Sequence, residues 1–168
     1  LESIRSREKV AAIGCRLIFP DGKVQHSCQR FPSVRYKLFE LLRLQKLLPG
    51  STGGKVLLGS FFDHDNAVRP DWIWGSFFMF RRGLLELLPS GKLADDFFMY
   101  VEDMQWCMDF TRLGYRIAFE PRAKVIHYMG QSKGSKSSLM ETNSGIFMSK
   151  YYPAWRAALI KQLDRWLL

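Results

Sequence analysis

The sequence has few of the features that mark secreted, zinc-binding or membrane-spanning proteins. Its 168 residues include only 3 cysteines, without a Cys-x-x-Cys spacing, which argues against a disulfide framework or a zinc site and fits a reducing, cytoplasmic setting. No run approaches the roughly 18 apolar residues of a membrane span, and the first residues are not those of a signal peptide. The chain also begins without Met, and we expect it to be a piece of a longer protein.

The charge of the chain is strongly basic but is not arranged as a nucleic-acid footprint. The net charge is +9, while the hydrophobic share of 47% and the aromatic share of 14% are those of one globular domain with a sizeable core. Lys and Arg are dispersed, and no RNA-recognition signature, zinc finger or basic heptad accompanies them. We therefore expect no nucleic acid as a partner. A phosphorylated small molecule and an anionic membrane surface stay open as partners.

The first third of the chain predicts a hairpin followed by a helix. The apolar run Val10–Phe19 indicates a buried strand, Pro20–Gly22 a turn, and the alternating Lys23–Gln29 a second strand. Ser33 is a plausible N-cap for a Leu-rich helix that also carries Arg and Lys. This helix either packs on the domain, which we favour, or lies at a membrane surface. The Gly- and Ser-rich residues 49–54 predict a flexible loop.

The three histidines differ in their sequence context. His26 lies in the second predicted strand and is expected to be exposed. His64 lies in Asp63–Asp65, where neighbouring side chains would point to opposite faces, so we favour a polar loop over a metal site. His127 follows a predicted strand, and ligands of α/β proteins gather where strands end. It is therefore the histidine with the strongest claim to a functional role.

An aromatic strand is predicted within residues 71–82. Trp72 and Trp74 flank an apolar pattern that Gly75 interrupts, which suggests a place where the backbone approaches another group closely. The tryptophans are interpreted either as a platform for a sugar or as core filling.

The stretch Phe97–Cys107 leads into a helix with an acidic pair in its first turn. Apolar residues recur at helical spacing from Asp103, and Gly114 marks the end of about three turns. Glu102 and Asp103 are explained most simply by the helix dipole, which favours carboxylates at this end. The alternative is a general base at the rim of a pocket, with aromatic walls from Phe97, Phe98 and Tyr100.

Strands and helices complete the chain. Residues 115–119 and 123–128 read as two strands with a break at Glu120–Pro121, and residues 139–168 as helices broken at Pro153. The last of these helices is amphipathic and basic, and it either packs on the core or lies at an interface.

Four segments taken together resemble the second half of a family 2, GT-A-type glycosyltransferase, in particular the rhamnosyltransferase-like members of cell-surface polysaccharide synthesis. They span roughly residues 9–132 and are Cys15–Ser27, Phe62–Arg82, Asp95–Ile117 and Glu120–Ser132. The resemblance implies an α/β fold: a partial GT-A (Rossmann-like) fold with a mixed sheet and flanking helices that lacks the N-terminal nucleotide-binding half. Residues 1–138 would be the acceptor-side half of that domain, and residues 139–168 a C-terminal helical extension.

The resemblance also implies roles for individual residues. The family's Glu-Asp pair matches Glu102 and Asp103, with Asp103 at the position of the general base. The family's Trp-x-x-Gly region, which lines the donor or acceptor pocket, matches Trp72, Trp74 and Gly75. The resemblance adds His127 as a ligand of a divalent metal or of the diphosphate, and Tyr100, from the aromatic wall beside the acidic pair, is a further candidate for substrate binding.

The implied reaction is an inverting sugar transfer in cell-envelope polysaccharide biosynthesis. Its donor would be a nucleotide-diphosphate sugar and its acceptor a saccharide or polyprenyl-linked saccharide, in the cytoplasm or peripherally at the inner membrane. Mg or Mn is expected in the full enzyme, and the isolated chain is expected to be inactive because the Asp-x-Asp half that binds the metal is missing. The alternative is a non-catalytic basic module that binds an anionic membrane or another polyanion. Gln105 and Asp109 depart from the family pattern, so we expect different ion pairing around them.

Overall fold

The computed structural model describes residues 9–129 and 136–167, with the side chains of 136 and 137 left aside. The predicted helical tail Leu1–Glu8 lies outside the described residues. Six strands are present in the described part: β1 (Val10–Ile18), β2 (Val24–Gln25), β3 (Cys28–Gln29), β4 (Trp72–Ile73), β5 (Met79–Phe80) and β6 (Arg116–Ile126). Its α helices are α1 (Val34–Leu41), α2 (Thr52–Leu57), α3 (Glu102–Arg112), α4 (Lys136–Tyr151) and α5 (Ala154–Leu167). The mixed α/β class with flanking helices is confirmed.

The central strand of the main sheet is β1, the apolar run predicted from the sequence. β6 pairs with it in parallel along its whole length, while β5 and β2 pair antiparallel with its two halves. The predicted break at Glu120–Pro121 does not divide β6. Instead the register jumps from Cys15↔Glu120 to Arg16↔Lys124, because a bulge accommodates Pro121, which has no N–H to donate to the ladder.

The predicted hairpin is confirmed at its turn but not along its second strand. Gly22 has φ 84° and its N–H donates to the Phe19 carbonyl over 2.9 Å, and Asp21 accepts from the Lys23 N–H. After Gln25 the chain turns away from β1, and β3 instead pairs with β4 in a small second sheet through Cys28↔Ile73. The second predicted strand was therefore too long.

The region after the hairpin contains more helices than predicted, and these helices are shorter. α1 ends at Leu41, Arg43 adopts a left-handed conformation with φ 52°, and a short 3₁₀ helix follows at Leu44–Lys46. The loop predicted at residues 49–54 is wrong, because α2 begins at Thr52. Gly53 is buried there, and a Cβ at this position would lie 2.3 Å from the Gln45 carbonyl oxygen. These glycines allow close packing rather than flexibility.

His64 lies in a loop, as predicted, but its side chain is buried. It contacts the rings of Phe62 and Phe119, and its Nδ1 lies 2.7 Å from the Phe62 carbonyl oxygen. Burial lowers its pKa below the ordinary value of 6.5, so the ring is a neutral core residue at neutral pH. His26 is exposed, as expected.

Two apolar clusters place α3 and α4 against the sheets. The larger contains residues of β1, β4, α3 and β6, among them Ala12, Ile73, Cys107, Phe110 and Phe119. The smaller contains Phe97, Val101, Met104 and Phe147. All three cysteines are buried and free, in agreement with the sequence. The helices break at Pro153 as predicted, and no helix among the described residues is long and apolar enough to cross a bilayer.

Candidate active site

The carboxylate of Asp103 is oriented by two backbone amides at the start of α3. Its Oδ2 accepts a hydrogen bond of 2.9 Å from the N–H of Gly75, in the turn that follows β4. Its Oδ1 accepts one of 2.8 Å from the N–H of Met104, one of the amides left without a partner in the first turn of a helix. The Gly75 backbone thus contacts the Asp103 carboxylate through its N–H, at a distance that would leave room for a Cβ.

The contact depends on the amide of Gly75 rather than on the absence of a side chain. A Cβ added at Gly75 would lie 3.6 Å from the Asp103 Cβ, which is an ordinary contact. Each carboxylate oxygen keeps further acceptor capacity after one amide bond. Asp103 is therefore held in one orientation while it can still accept a hydrogen bond from a substrate hydroxyl.

Burial makes both acids of the pair stronger bases than ordinary carboxylates. Burial raises the pKa of Asp103 above its ordinary value, and the N–H groups of Gly75 and Met104 oppose this rise. Burial likewise raises the pKa of Glu102, and the negative charge of Asp103 raises it further. The Glu102 Oε2 atom is buried and accepts no hydrogen bond from the described part of the chain. A raised pKa brings a general base closer to the pH at which it works.

The backbone immediately before the acidic pair is strained. Tyr100 and Val101 have φ of 63° and 76°, a left-handed conformation that a β-branched residue rarely adopts and that costs about 1–3 kcal/mol per residue. Asn143 of α4 holds this turn, because its Nδ2 donates to the carbonyls of Met99 (2.7 Å) and Tyr100 (3.2 Å). Such strain is concentrated at functional sites.

Asn143 is a site residue that sequence reasoning missed. It is buried in the middle of a helix, and an Asn in a helical pattern gives no sign of what it contacts. The turn it holds contains no Gly or Asn at the strained positions, so the left-handed backbone had no signal either.

The aromatic wall proposed for the acidic pair is only partly present. Phe97 is buried in the core cluster with Phe147, and Tyr100 is half-buried against the same cluster. Phe98 is 95% exposed, so the prediction that it walls the pocket is wrong.

The two tryptophans of the β4 region differ in their surroundings. Trp72 packs against both apolar clusters, and its Nε1 donates to the Arg30 carbonyl over 3.1 Å. Core filling therefore accounts for Trp72. Trp74 is half-buried, belongs to neither cluster, and directly precedes Gly75. Of the pair, Trp74 is the better placed to contact a substrate beside Asp103.

His127 is fixed at the end of β6 by the buried side chain of Gln25. The His127 Nδ1 lies 2.7 Å from the Gln25 Oε1, and the Gln25 Nε2 donates to the His127 carbonyl, also over 2.7 Å. Because an amide oxygen only accepts, Nδ1 carries a hydrogen, and the neutral form of the ring has its lone pair on Nε2. This is the tautomer that a metal-ligating histidine needs.

The described residues do not form a complete metal site around His127. Within residues 9–129 and 136–167, no group of three or more His, Cys, Asp or Glu side chains is arranged to hold a metal ion. The residues present thus do not fit a resident metal on their own.

Gln105 and Asp109 belong to a polar network between α3 and α4. The buried Gln105 donates to Asp96 and, over 3.1 Å, to the hydroxyl of Tyr151. That hydroxyl donates to the Asp109 Oδ1 over 2.8 Å, and Lys150 pairs with Asp96. A groove of about 460 Å³ lies beside this network. Asp103 does not line this groove, so the network is a support for α3 and not part of the site.

No family model, curated protein or solved structure matches this chain. The geometry of the site and the resemblance seen in the sequence are therefore the two grounds on which a function is proposed.

Proposed function

We propose that this chain is the acceptor-side half of an inverting, family 2 glycosyltransferase with a GT-A-type fold, and that Asp103 is its general base. The contact between the Gly75 N–H and the Asp103 carboxylate carries the proposal. It joins two of the four segments on which the resemblance rests, and it does so at the two residues to which the resemblance assigns the pocket and the base. The parallel pairing of β1 with β6 also agrees with a partial GT-A fold.

The proposed chemistry is a single displacement at the anomeric carbon of the donor sugar. Asp103 accepts the proton of an acceptor hydroxyl while the oxygen of that hydroxyl forms a bond to the anomeric carbon. The bond from that carbon to the diphosphate breaks, and the nucleoside diphosphate leaves with the electron pair. One carboxylate on the side opposite the leaving group is sufficient, and the configuration at the carbon is inverted.

The surroundings of Asp103 suit that role. The two amide donors orient the carboxylate before the acceptor arrives, and burial raises its pKa and hence its basicity. Glu102 is a second partly buried carboxylate beside it, whose own pKa is raised by burial and by the negative charge of Asp103. A fully solvated aspartate would be a weaker base at neutral pH.

The experiment compares Asp103→Asn with Asp95→Asn in the enzyme that contains this chain. Release of nucleoside diphosphate from a panel of nucleotide-diphosphate sugars is measured with a polyprenyl-linked saccharide acceptor. We expect Asp103→Asn to lower kcat by about 10²–10⁴-fold. Asp95 is exposed and pairs with Lys92, so its variant should keep a rate close to that of the wild type. A wild-type rate for Asp103→Asn would remove Asp103 as the base.

A further inference from the structure

The outward face of α5 carries an apolar stripe with basic residues beside it. Trp155, Leu159 and Trp166 are 69%, 40% and 61% exposed, and at about 100° per residue they fall within about 40° of one another around the helix. Ile160 and Leu163 are buried and lie about 120° and about 60° around the helix from the centre of this stripe. Packing on the core therefore explains the apolar residues on one face of α5. It does not explain those on the tryptophan face, which are exposed in the described structure.

The charge around this stripe has one sign. Lys161 and Arg165 share the exposed half of the helix with the stripe and lie about 140° and about 100° around the helix from its centre, while Asp164, the acidic residue of the helix, pairs with Lys37 of α1 over 2.6 Å. The exposed face of α5 thus combines indole rings, a leucine and cations without an acidic residue.

The neighbouring helix α1 repeats this combination. It packs against α5, and Leu38, Leu42 and Leu47 in and after it are exposed, Leu47 at 79%. Exposed cations accompany them in the same stretch: Arg35, Arg43 and Lys46. Glu40, the acidic residue of α1, is half-buried. Single exposed apolar residues need no explanation, but a set on two packed helices with exposed cations in the same stretches indicates an interaction surface.

We propose that the α1–α5 face docks on an anionic lipid surface. Indole rings suit the boundary between headgroups and acyl chains because they are apolar bodies with a polar N–H. Basic side chains next to them attract anionic headgroups, by an amount worth about fivefold in affinity per residue. A protein partner would need an acidic, shaped groove, which nothing here indicates, whereas charge complementarity favours the membrane. The inference goes beyond the proposed sugar transfer and does not depend on it, since no residue of the candidate active site takes part.

The experiment measures co-sedimentation of the chain with vesicles of phosphatidylcholine alone and of phosphatidylcholine with one third phosphatidylglycerol. We expect binding to the anionic vesicles, a decline of that binding with salt, and quenching of tryptophan emission by brominated lipid. Trp155→Ser with Trp166→Ser should abolish the quenching. Lys161→Ser with Arg165→Ser should lower partitioning by roughly 25-fold, at about fivefold per lost charge.

Matched controls test whether binding depends on the α1–α5 face or on exposed apolar and charged residues in general. Leu87→Ser removes an exposed apolar side chain elsewhere, and Arg116→Ser with Lys124→Ser removes two exposed charges on β6. Both controls should bind like the wild type, and circular dichroism melts should show that all variants fold. Equal loss of binding in the controls, or binding without dependence on vesicle charge, would overturn the proposal. Dimerisation of the chain without binding to vesicles would also overturn it. So would binding to heparin but not to vesicles, if the tryptophan variant keeps that binding.

Discussion

At the scale of single residues, the site contains groups held where folding alone would not place them. Asp103 and Glu102 keep carboxylates in partly buried positions that raise their pKa. Tyr100 and Val101 keep a left-handed backbone that costs free energy. A structural helix start would have been better served by an exposed acid after an unstrained cap. This combination therefore favours a functional origin for the pair over the dipole explanation.

The pH dependence of stability distinguishes these two explanations of Asp103. Its pKa is raised in the folded protein, so above the ordinary value of 3.8 the folded state binds more protons than the unfolded state, and stability falls as the pH rises through this window. Asn at this position cannot titrate. We expect wild type to lose stability relative to Asp103→Asn as the pH rises from about 4 to 7, by about 1.4 kcal/mol for each unit of raised pKa.

Urea unfolding at several pH values measures this difference, and Asp95→Asn is the control. Lys92 lowers the pKa of Asp95, so Asp95 contributes stability that is lost only as the pH falls below its ordinary value of 3.8. Parallel stability curves for wild type and Asp103→Asn would show that the carboxylate is not strained by burial.

At the scale of elements, the sequence was most informative where local chemistry and tertiary structure agree. The apolar run of β1, the turn at Gly22 and the periodicity of α3 up to Gly114 are all present as predicted. In each of these, the local pattern and the buried face require the same conformation.

The elements that were missed depend on contacts distant in sequence. α2 contains Gly53 because its backbone packs on Gln45, and glycine-rich composition by itself indicates a loop. β3 leaves the hairpin because β4, more than 40 residues later, offers it a partner. The left-handed turn at Val101 exists because α4 supplies Asn143. None of these partners lies within the window of a local pattern.

The clamp between α4 and the start of α3 gives a prediction about Asn143. Asn143→Asp keeps the size of the side chain but replaces the donor amide with an acceptor, so two buried carbonyls lose their partner. We expect a loss of about 1–3 kcal/mol in unfolding free energy, and a lower kcat with little change in KM, because the start of α3 would no longer hold the base in position.

Asn143→Gln is the informative comparison, since a longer amide can still reach the carbonyls of Met99 and Tyr100. Partial recovery of kcat in that variant supports a positioning role. If Asn143→Asp loses stability without loss of kcat at temperatures where it is folded, the residue supports the fold alone.

At the scale of the whole molecule, the two apolar clusters are continuous. Phe31 and Trp72 pack against both the sheet cluster and the cluster of Phe97 and Phe147. α4 is thus connected to the main sheet through shared side chains, and the candidate site lies on this connection. The helices after residue 135 should therefore unfold together with the sheet.

Phe147 tests this connection. Its side chain is fully buried beside Phe97, Val101 and Met104, so Phe147→Ala should lower the unfolding free energy by about 3–5 kcal/mol through lost burial and the cavity that remains. Ile146, the preceding residue, is 49% exposed, and Ile146→Ala should change stability by no more than about 0.5 kcal/mol. Circular dichroism follows the helices during urea unfolding, and tryptophan emission is followed in a variant that keeps Trp72, at the junction of the clusters, and has Phe at the other four tryptophan positions. Coincident transitions in both signals, shifted together by Phe147→Ala, are expected of one cooperative unit. A shift in the dichroism alone would mean that α4 unfolds separately, and the strained turn before Asp103 would then be held by a helix that opens on its own.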